Sequence, residues 1–263
     1  MNKILVTMAI QTVDSVMAVI PRSIPELAVL QQCKIVSHRG EHDNSEVMEN
    51  TLRAFESARA NGVWGIETDI RWTRDLLPVV CHDPDGSRVF GKTIEISRVT
   101  LAELRAVIPQ IPTLAELIAE FGGNTHLMIE LKAEVFPQQE EQKRILEQHL
   151  AALTAGEDYH ILALKAELFE MVDFLPREFC LPVAETNTRW ISQASLEGNY
   201  GGLTGHYLLL TNKIKQRHEQ AGQRIGTGFI ASRNCLFREL NRGVEWIFSN
   251  DAVKLQKILD SYR

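Results

Sequence analysis

The chain has 263 residues, 44% hydrophobic and 24% charged, with a formal net charge of −6 and a pI near 5.8. This suits one large globular domain, since a β/α barrel uses about 250 residues for a single core. The sequence contains no basic run and nothing near the ~20 apolar residues of a spanning helix, which speaks against a nucleic-acid surface and a transmembrane segment.

The opening stretch, MNKILVTMAIQTVDSVMAVI, is only weakly like a signal peptide: Gln11 and Asp14 interrupt its apolar run and no small-residue cleavage pattern follows. Residues 1–33 are expected to be an N-terminal helical extension packed on a domain that fills 34–263. Cys33, Cys81, Cys180 and Cys235 are far apart and form no CxxC pair. That is a poor zinc or disulfide pattern, so a reducing, cytoplasmic setting is expected. From Lys34 onward, short apolar runs alternate with amphipathic stretches. Strands are expected at Lys34–Ser37, Trp64–Ile70 and Leu77–Cys81, with a helix over Asn50–Asn61 that Gly62 stops. Thr113–Phe121 reads as a helix, His126–Leu131 as a strand, and Pro137–Leu153 as a long polar-faced helix. Further strands are expected at Tyr159–Leu164, Cys180–Ala184, Gly201–Thr204, Arg224–Ile230 and Glu245–Phe248, with helices between them. Roughly eight such alternations with short connections predict an α/β fold with a parallel sheet, closed into a barrel.

Four constellations fall at strand ends: Ser37-His38-Arg39-Gly40, Glu67-Thr68-Asp69, His82-Asp83 and Glu130-Leu131-Lys132. Strand side chains alternate, so Glu67 and Asp69 share one face, as do Glu130 and Lys132. In a barrel these ends converge on one rim. Three carboxylates brought together repel unless a cation sits among them, and oxygen-only ligation suits Mg²⁺ or Ca²⁺ better than zinc. Such a metal would neutralise a phosphodiester. Arg39 and Lys132 would add fixed positive charge. His38 and His82 would supply a general acid and a general base.

The order and spacing HRG…ENT…E-T-D…HD…E-L-K resemble the glycerophosphodiester phosphodiesterase family. Glu49–Phe55 is similar to that family's PENTLAAF stretch, Ile66–Ile70 to its IELDV, and Val79–Asp83 to its VVFHD. Thr100–Leu104 and Ile111–Leu114 look like its TLAEL and IPTLEE signatures. The resemblance is strong over 34–132 and loose beyond. It implies a (β/α)8 TIM barrel, a divalent metal on Glu67, Asp69 and Glu130, and His38 and His82 as the acid–base pair, with Arg39 and Lys132 near the phosphate. It also implies hydrolysis of a small glycerophosphodiester to glycerol 3-phosphate and an alcohol. Ala231 stands where the family has a tryptophan, and Ser249-Asn250-Asp251 where it has a Thr-Asp pair. These departures bear on substrate choice and leave two alternatives: a lysophospholipase D-like or sphingomyelinase D-like lipid phosphodiesterase, and a non-catalytic phosphodiester-binding protein. Outside the motifs, His42 lies in a charged loop, His149, His160 and His218 fall in helical or polar contexts, and His126 begins a strand. All five are expected to be structural. His206, in a late strand-end loop, is also expected to be structural, although a substrate could reach it.

Overall fold

A computed structural model describes residues 12–263 of the chain. Its strands are β1 (Lys34–His38), β2 (Gly65–Trp72), β3 (Pro78–Val80), β4 (Asp85–Gly86), β5 (Lys92–Glu95), β6 (His126–Leu131), β7 (Tyr159–Ala163), β8 (Cys180–Ala184), β9 (Gly202–His206), β10 (Arg224–Gly228) and β11 (Trp246–Ser249). Strands β1, β2 and β6 to β11 are parallel neighbours in that order, and β1 pairs with both β2 and β11, which closes the barrel. This is the expected (β/α)8 barrel, in one domain. One strand differs from expectation. Leu77–Cys81 is not a barrel stave, because its β3 portion runs antiparallel to the end of β2, with Ile70 opposite Val80. Only Thr73–Leu77 separates the two strands, too little chain for the crossover a parallel partner needs.

Alternation along the strands sorts the core. Outward residues such as Ile66, Ile70, Leu127 and Ile129 pack under the helices. Inward residues Val36, Met128, Leu162, Leu181, Trp246 and Phe248 fill the barrel itself. At Gly226 a Cβ would lie 2.7 Å from the Phe248 ring and 3.0 Å from Thr204 Cγ2, so glycine there leaves room for the ring. Nearer the amino-terminal end, His126 and His160 are buried, and His126 Nε2 lies 2.8 Å from His160 Nδ1. His126 stacks on Trp64 (centroids 4.3 Å apart) and His160 meets Trp246 edge-on. His160 thus lies in the strand expected at Tyr159–Leu164, but buried among rings and not in a polar context.

Helix ends follow local chemistry. Thr51, Thr100 and Thr113 cap their helices, the last two in reciprocal capping boxes with Glu103 and Glu116. Before β1, residues 12–19 and Leu27–Gln32 are helical. Met17 and Ala18 pack against the cluster around Leu30, Leu236 and Phe237, and Asn234 Nδ2 donates to Ala18 O at 2.8 Å. The beginning of the expected extension, residues 1–11, lies outside the described residues. All four cysteines are buried free thiols.

Candidate active site

The carboxyl end of β1 turns through two successive left-handed residues, Arg39 (φ 60) and Gly40 (φ 80). A Cβ on Gly40 would sit 2.7 Å from the Ala54 backbone, so only glycine lets this turn lie against the helix Leu52–Ala60. The loop is pinned on both sides, since Arg39 N donates to Glu67 O and Asn50 N donates to Arg39 O, each at 2.9 Å. Asn50 then reaches inward. Its Nδ2 donates to Asp69 Oδ2 at 2.8 Å, and its Oδ1 accepts from Thr68 Oγ1 at 3.0 Å. The Asn-Thr pair of the ENT stretch therefore orients Asp69 and caps the helix that follows.

Strands β2 and β6 pair in register, Asp69 opposite Glu130, which brings Glu67, Asp69 and Glu130 together. One oxygen from each lies within 4.8 Å of the others, and all three residues are buried. Burial and the charges of Asp69 and Glu130 push the Glu67 carboxyl well above its ordinary pKa, and Glu67 Oε2 is buried without a hydrogen bond. Burial, with the Asp69 charge, likewise raises Glu130. Lys132 partly compensates, its Nζ lying 2.6 Å from Glu130 Oε1 and 3.0 Å from Asp69 Oδ1. Burial works against its ammonium, but these two acids outweigh that and hold it charged, above the usual lysine value. Arg39 Nε lies 3.3 Å from Asp69 Oδ2. A buried carboxylate oxygen without a donor, in an all-oxygen cluster, fits a hard divalent cation.

The two histidines flank this cluster in matching states. His38 Nδ1 donates to Asn250 Oδ1 at 2.5 Å, and His82 Nδ1 to Asp83 Oδ1 at 2.8 Å. Both acceptors carry only lone pairs, so each ring keeps its proton on Nδ1 and leaves Nε2 free. His38 Nε2 lies 3.7 Å from Glu67 Oε2. Burial, reinforced by the Arg39 charge, lowers the His38 pKa to about 4, and burial also lowers that of His82.

These groups open into a cavity of about 990 Å³, lined by His38, Arg39, Glu67, His82, Glu130 and Lys132. Asp69 is fully buried behind them. The structure thus brings together all seven residues singled out at the strand ends. The rest of the lining includes Phe229 and His206, the late-loop histidine that a substrate could reach. Phe229 is 55% exposed and held at φ 66, a backbone strain that a bulky residue rarely bears. Its ring meets His38 edge-on at 6.1 Å and stacks on His206 at 5.3 Å. His206 lines the cavity, accepts from Leu208 N at its Nδ1, and presents Nε2 3.6 Å from Asp14 Oδ2 of the N-terminal helix. Tyr207, beside it, is fully buried and pairs with Cys235, so Phe229 and not Tyr207 lies beside Ala231 in the cavity.

Two solved structures share this fold: a glycerophosphodiester phosphodiesterase from Thermotoga maritima (TM-score 0.72, 20% identity, 86% of this chain and 98% of that one) and an Oleispira antarctica phosphodiesterase in complex with the product sn-glycerol-3-phosphate (TM-score 0.72, 22% identity, 86% and 96%). That likeness shows the fold, a (β/α)8 TIM barrel. The model of the glycerophosphoryl diester phosphodiesterase family matches residues 38–169, and the chain belongs to that family. Among curated relatives, glycerophosphodiester phosphodiesterase 1 of Bos taurus is 28% identical over 138 residues. That match covers 47% of this chain and 41% of the relative, so the chain matches less than half the length of that protein.

Proposed function

We propose that this protein hydrolyses glycerophosphodiesters to glycerol 3-phosphate and an alcohol. The observation that carries the reading is the buried Glu67–Asp69–Glu130 cluster flanked by two imidazoles that each leave Nε2 free. Glu67, Asp69 and Glu130 would hold Mg²⁺ or Ca²⁺, which when bound supplies charge neutralisation to a phosphoryl group. Lys132 and Arg39 face the same cavity and add positive charge there. One imidazole accepts the proton of the attacking oxygen at Nε2, and the other, protonated at Nε2, delivers a proton to the leaving alcohol oxygen. The product in the Oleispira structure, glycerol 3-phosphate, is the one this reading expects.

A second reading, hydrolysis of a lysophospholipid, is favoured by one feature. The cavity has a large apolar lining, including Leu162, Val183, Leu209, Phe229, Ile230 and Phe248. Turnover of glycerophosphocholine and lysophosphatidylcholine, before and after EDTA treatment with elemental analysis, separates the possibilities. Cation-dependent release of glycerol 3-phosphate supports the first. Full-rate turnover by metal-free protein, or no turnover of any glycerophosphodiester, overturns it.

A further inference from the structure

Arg88 lies outside all the motifs that mark the site. It sits in the four-residue helix Ser87–Phe90, between β4 and β5, on a two-stranded arm inserted after β3. Its side chain is 48% exposed, the usual condition of a solvated surface arginine. Yet three of its donors are committed inward. Nε donates to Asp83 Oδ2 at 2.5 Å, Nη1 to Glu49 Oε2 at 2.9 Å and Nη2 to Glu49 Oε1 at 2.7 Å.

Neither recipient lines the cavity, but each bonds a residue that does, Asp83 to His82 and Glu49 to Arg39. Asp83 is the carboxylate that receives the His82 Nδ1 proton. Glu49 is nearly fully buried, and it also accepts from Asn44 Nδ2 at 2.8 Å and Arg39 Nη1 at 2.9 Å. Burial alone would raise the Glu49 pKa, but the bonds from Arg88 and Asn44 outweigh it and hold the carboxyl well below the usual range. One guanidinium thus ties the ring partner of His82 to the carboxylate that braces Arg39. A planar five-donor fork can span two carboxylates in this way, whereas a lysine ammonium is a point charge. Only the Arg88 end of the pair is exposed, so the fork both satisfies a buried carboxylate and orients the groups it touches.

We propose that Arg88 is a positioning residue for the reaction. It holds Asp83 against His82, which keeps the ring proton on Nδ1 and Nε2 free toward the cavity, and through Glu49 it steadies Arg39. The inserted arm is thereby tied to the chemistry of the barrel. The proposal rests on the assignment of His82 to the acid–base pair.

The test is Arg88→Ala beside the wild type, with full diester kinetics. Loss of an outer partner of this kind lowers activity about 10–100-fold. The loss should fall on kcat with KM near the wild-type value, measured at a temperature where the variant's circular dichroism shows it fully folded, since Glu49 loses two of its bonds. Guanidinium chloride at millimolar concentration should restore part of the turnover, because the Arg88 position is reachable from solvent. Arg88→Lys should stay impaired. Wild-type turnover in Arg88→Ala, or a loss confined to KM, overturns the proposal.

A second readout does not depend on turnover. Nitrogen-15 spectra of the His82 ring, assigned against His82→Asn, should show one Nδ1–H tautomer in the wild type and a mixture in Arg88→Ala. Identical tautomers in both also overturn it. If the wild type hydrolyses no diester while the His82 tautomer still depends on Arg88, the proposed reaction fails and the positioning role stands.

Discussion

His38 Nδ1 and Asn250 Oδ1 are 2.5 Å apart, although 212 positions separate the two residues in the chain. The barrel closes precisely there in space, β1 lying against β11, so the last strand supplies the ring partner of a group on the first. Asn250→Leu should lower kcat about 10–100-fold, as loss of an orienting partner does, and leave KM nearly unchanged. Asn250→Asp should recover most of that loss, since its carboxylate also accepts the Nδ1 proton. Steady-state kinetics of the two variants decide it, and equal impairment would show that the bond orients nothing.

His38→Ala and His82→Ala should each reduce kcat about 10²-fold or more, the effect of removing a general acid or base. Neither should disturb folding, because both rings lie at the cavity and not among the packed helices. Near-normal turnover in either variant removes that residue from the acid–base pair.

Cation binding should be visible without any substrate. Burial and the neighbouring carboxylates raise the Glu67 pKa and so disfavour its charged form when no cation is present, and Glu67→Gln should melt close to the wild type in EDTA. Adding Mg²⁺ or Ca²⁺ should then raise the melting temperature of the wild type and not of the variant, because a ligand that binds only the folded state stabilises it. A rise of the same size in both proteins would place the ion elsewhere.

The His126–His160 pair makes the fold sensitive to acid. Burial lowers His126 to about 4, and burial with the His126 charge lowers His160 to about 3. Both values lie below the ~6.5 of an unfolded imidazole, so the unfolded chain takes up protons first. The contribution of the pair is complete above that value and is lost as pH falls through 6.5 toward 4 and 3. For His126 the loss is about 3 kcal/mol by pH 4, at ~1.4 kcal/mol per unit. Urea melts at stepped pH should show a shallower acid decline in His126→Gln than in the wild type.

Pocket width should respond to Ala231 and Phe229. Both line the cavity, Phe229 occupying space near the position where the family has a tryptophan. Ala231→Trp should penalise bulky diesters relative to glycerophosphocholine by about 1–3 kcal/mol in kcat/KM, the scale of pocket-size discrimination. Phe229→Ala should do the opposite and favour the bulky diesters. An equal effect on all substrates would show that Ala231 does not contact the alcohol.

The barrel and the strand-end residues were legible because period-two strands, helical stretches and charged groups at apolar strand ends are all local signals. Leu77–Cys81 looked like a further stave because its apolar content is that of a strand, and only the pairing shows it antiparallel to β2. His160 falls in the strand expected at Tyr159–Leu164, but its burial was not legible, since the aromatic and imidazole partners that make it a core residue come from β6, β11 and Phe179. Glu49 and Asn50 were visible as part of a motif, but their tasks depend on what faces them across the loop. The contacts of Asn250, Asp14 and His206 join residues near opposite ends of the chain, so no spacing could announce them. The strained φ of Phe229 leaves no mark in composition at all.

The site is divided along the chain. The three carboxylates, both imidazoles, Arg39 and Lys132 come from residues 38–132, while most of the remaining lining, from Leu162 to Phe248, comes from later in the chain, with Val183, His206, Phe229, Ile230 and Ala231 within 183–231. A lineage can therefore exchange the wall and retain the reactive face, so that substrate range diversifies while the reaction stays the same. Laboratory evolution could exploit the same partition. Libraries confined to 183–231 should yield altered preferences whose effects add to those of changes on the reactive face, because residues without shared partners combine independently. Asn250 and Phe229 are the exceptions, the first bonded to His38 and the second in ring contact with it, and substitutions at either should break that additivity.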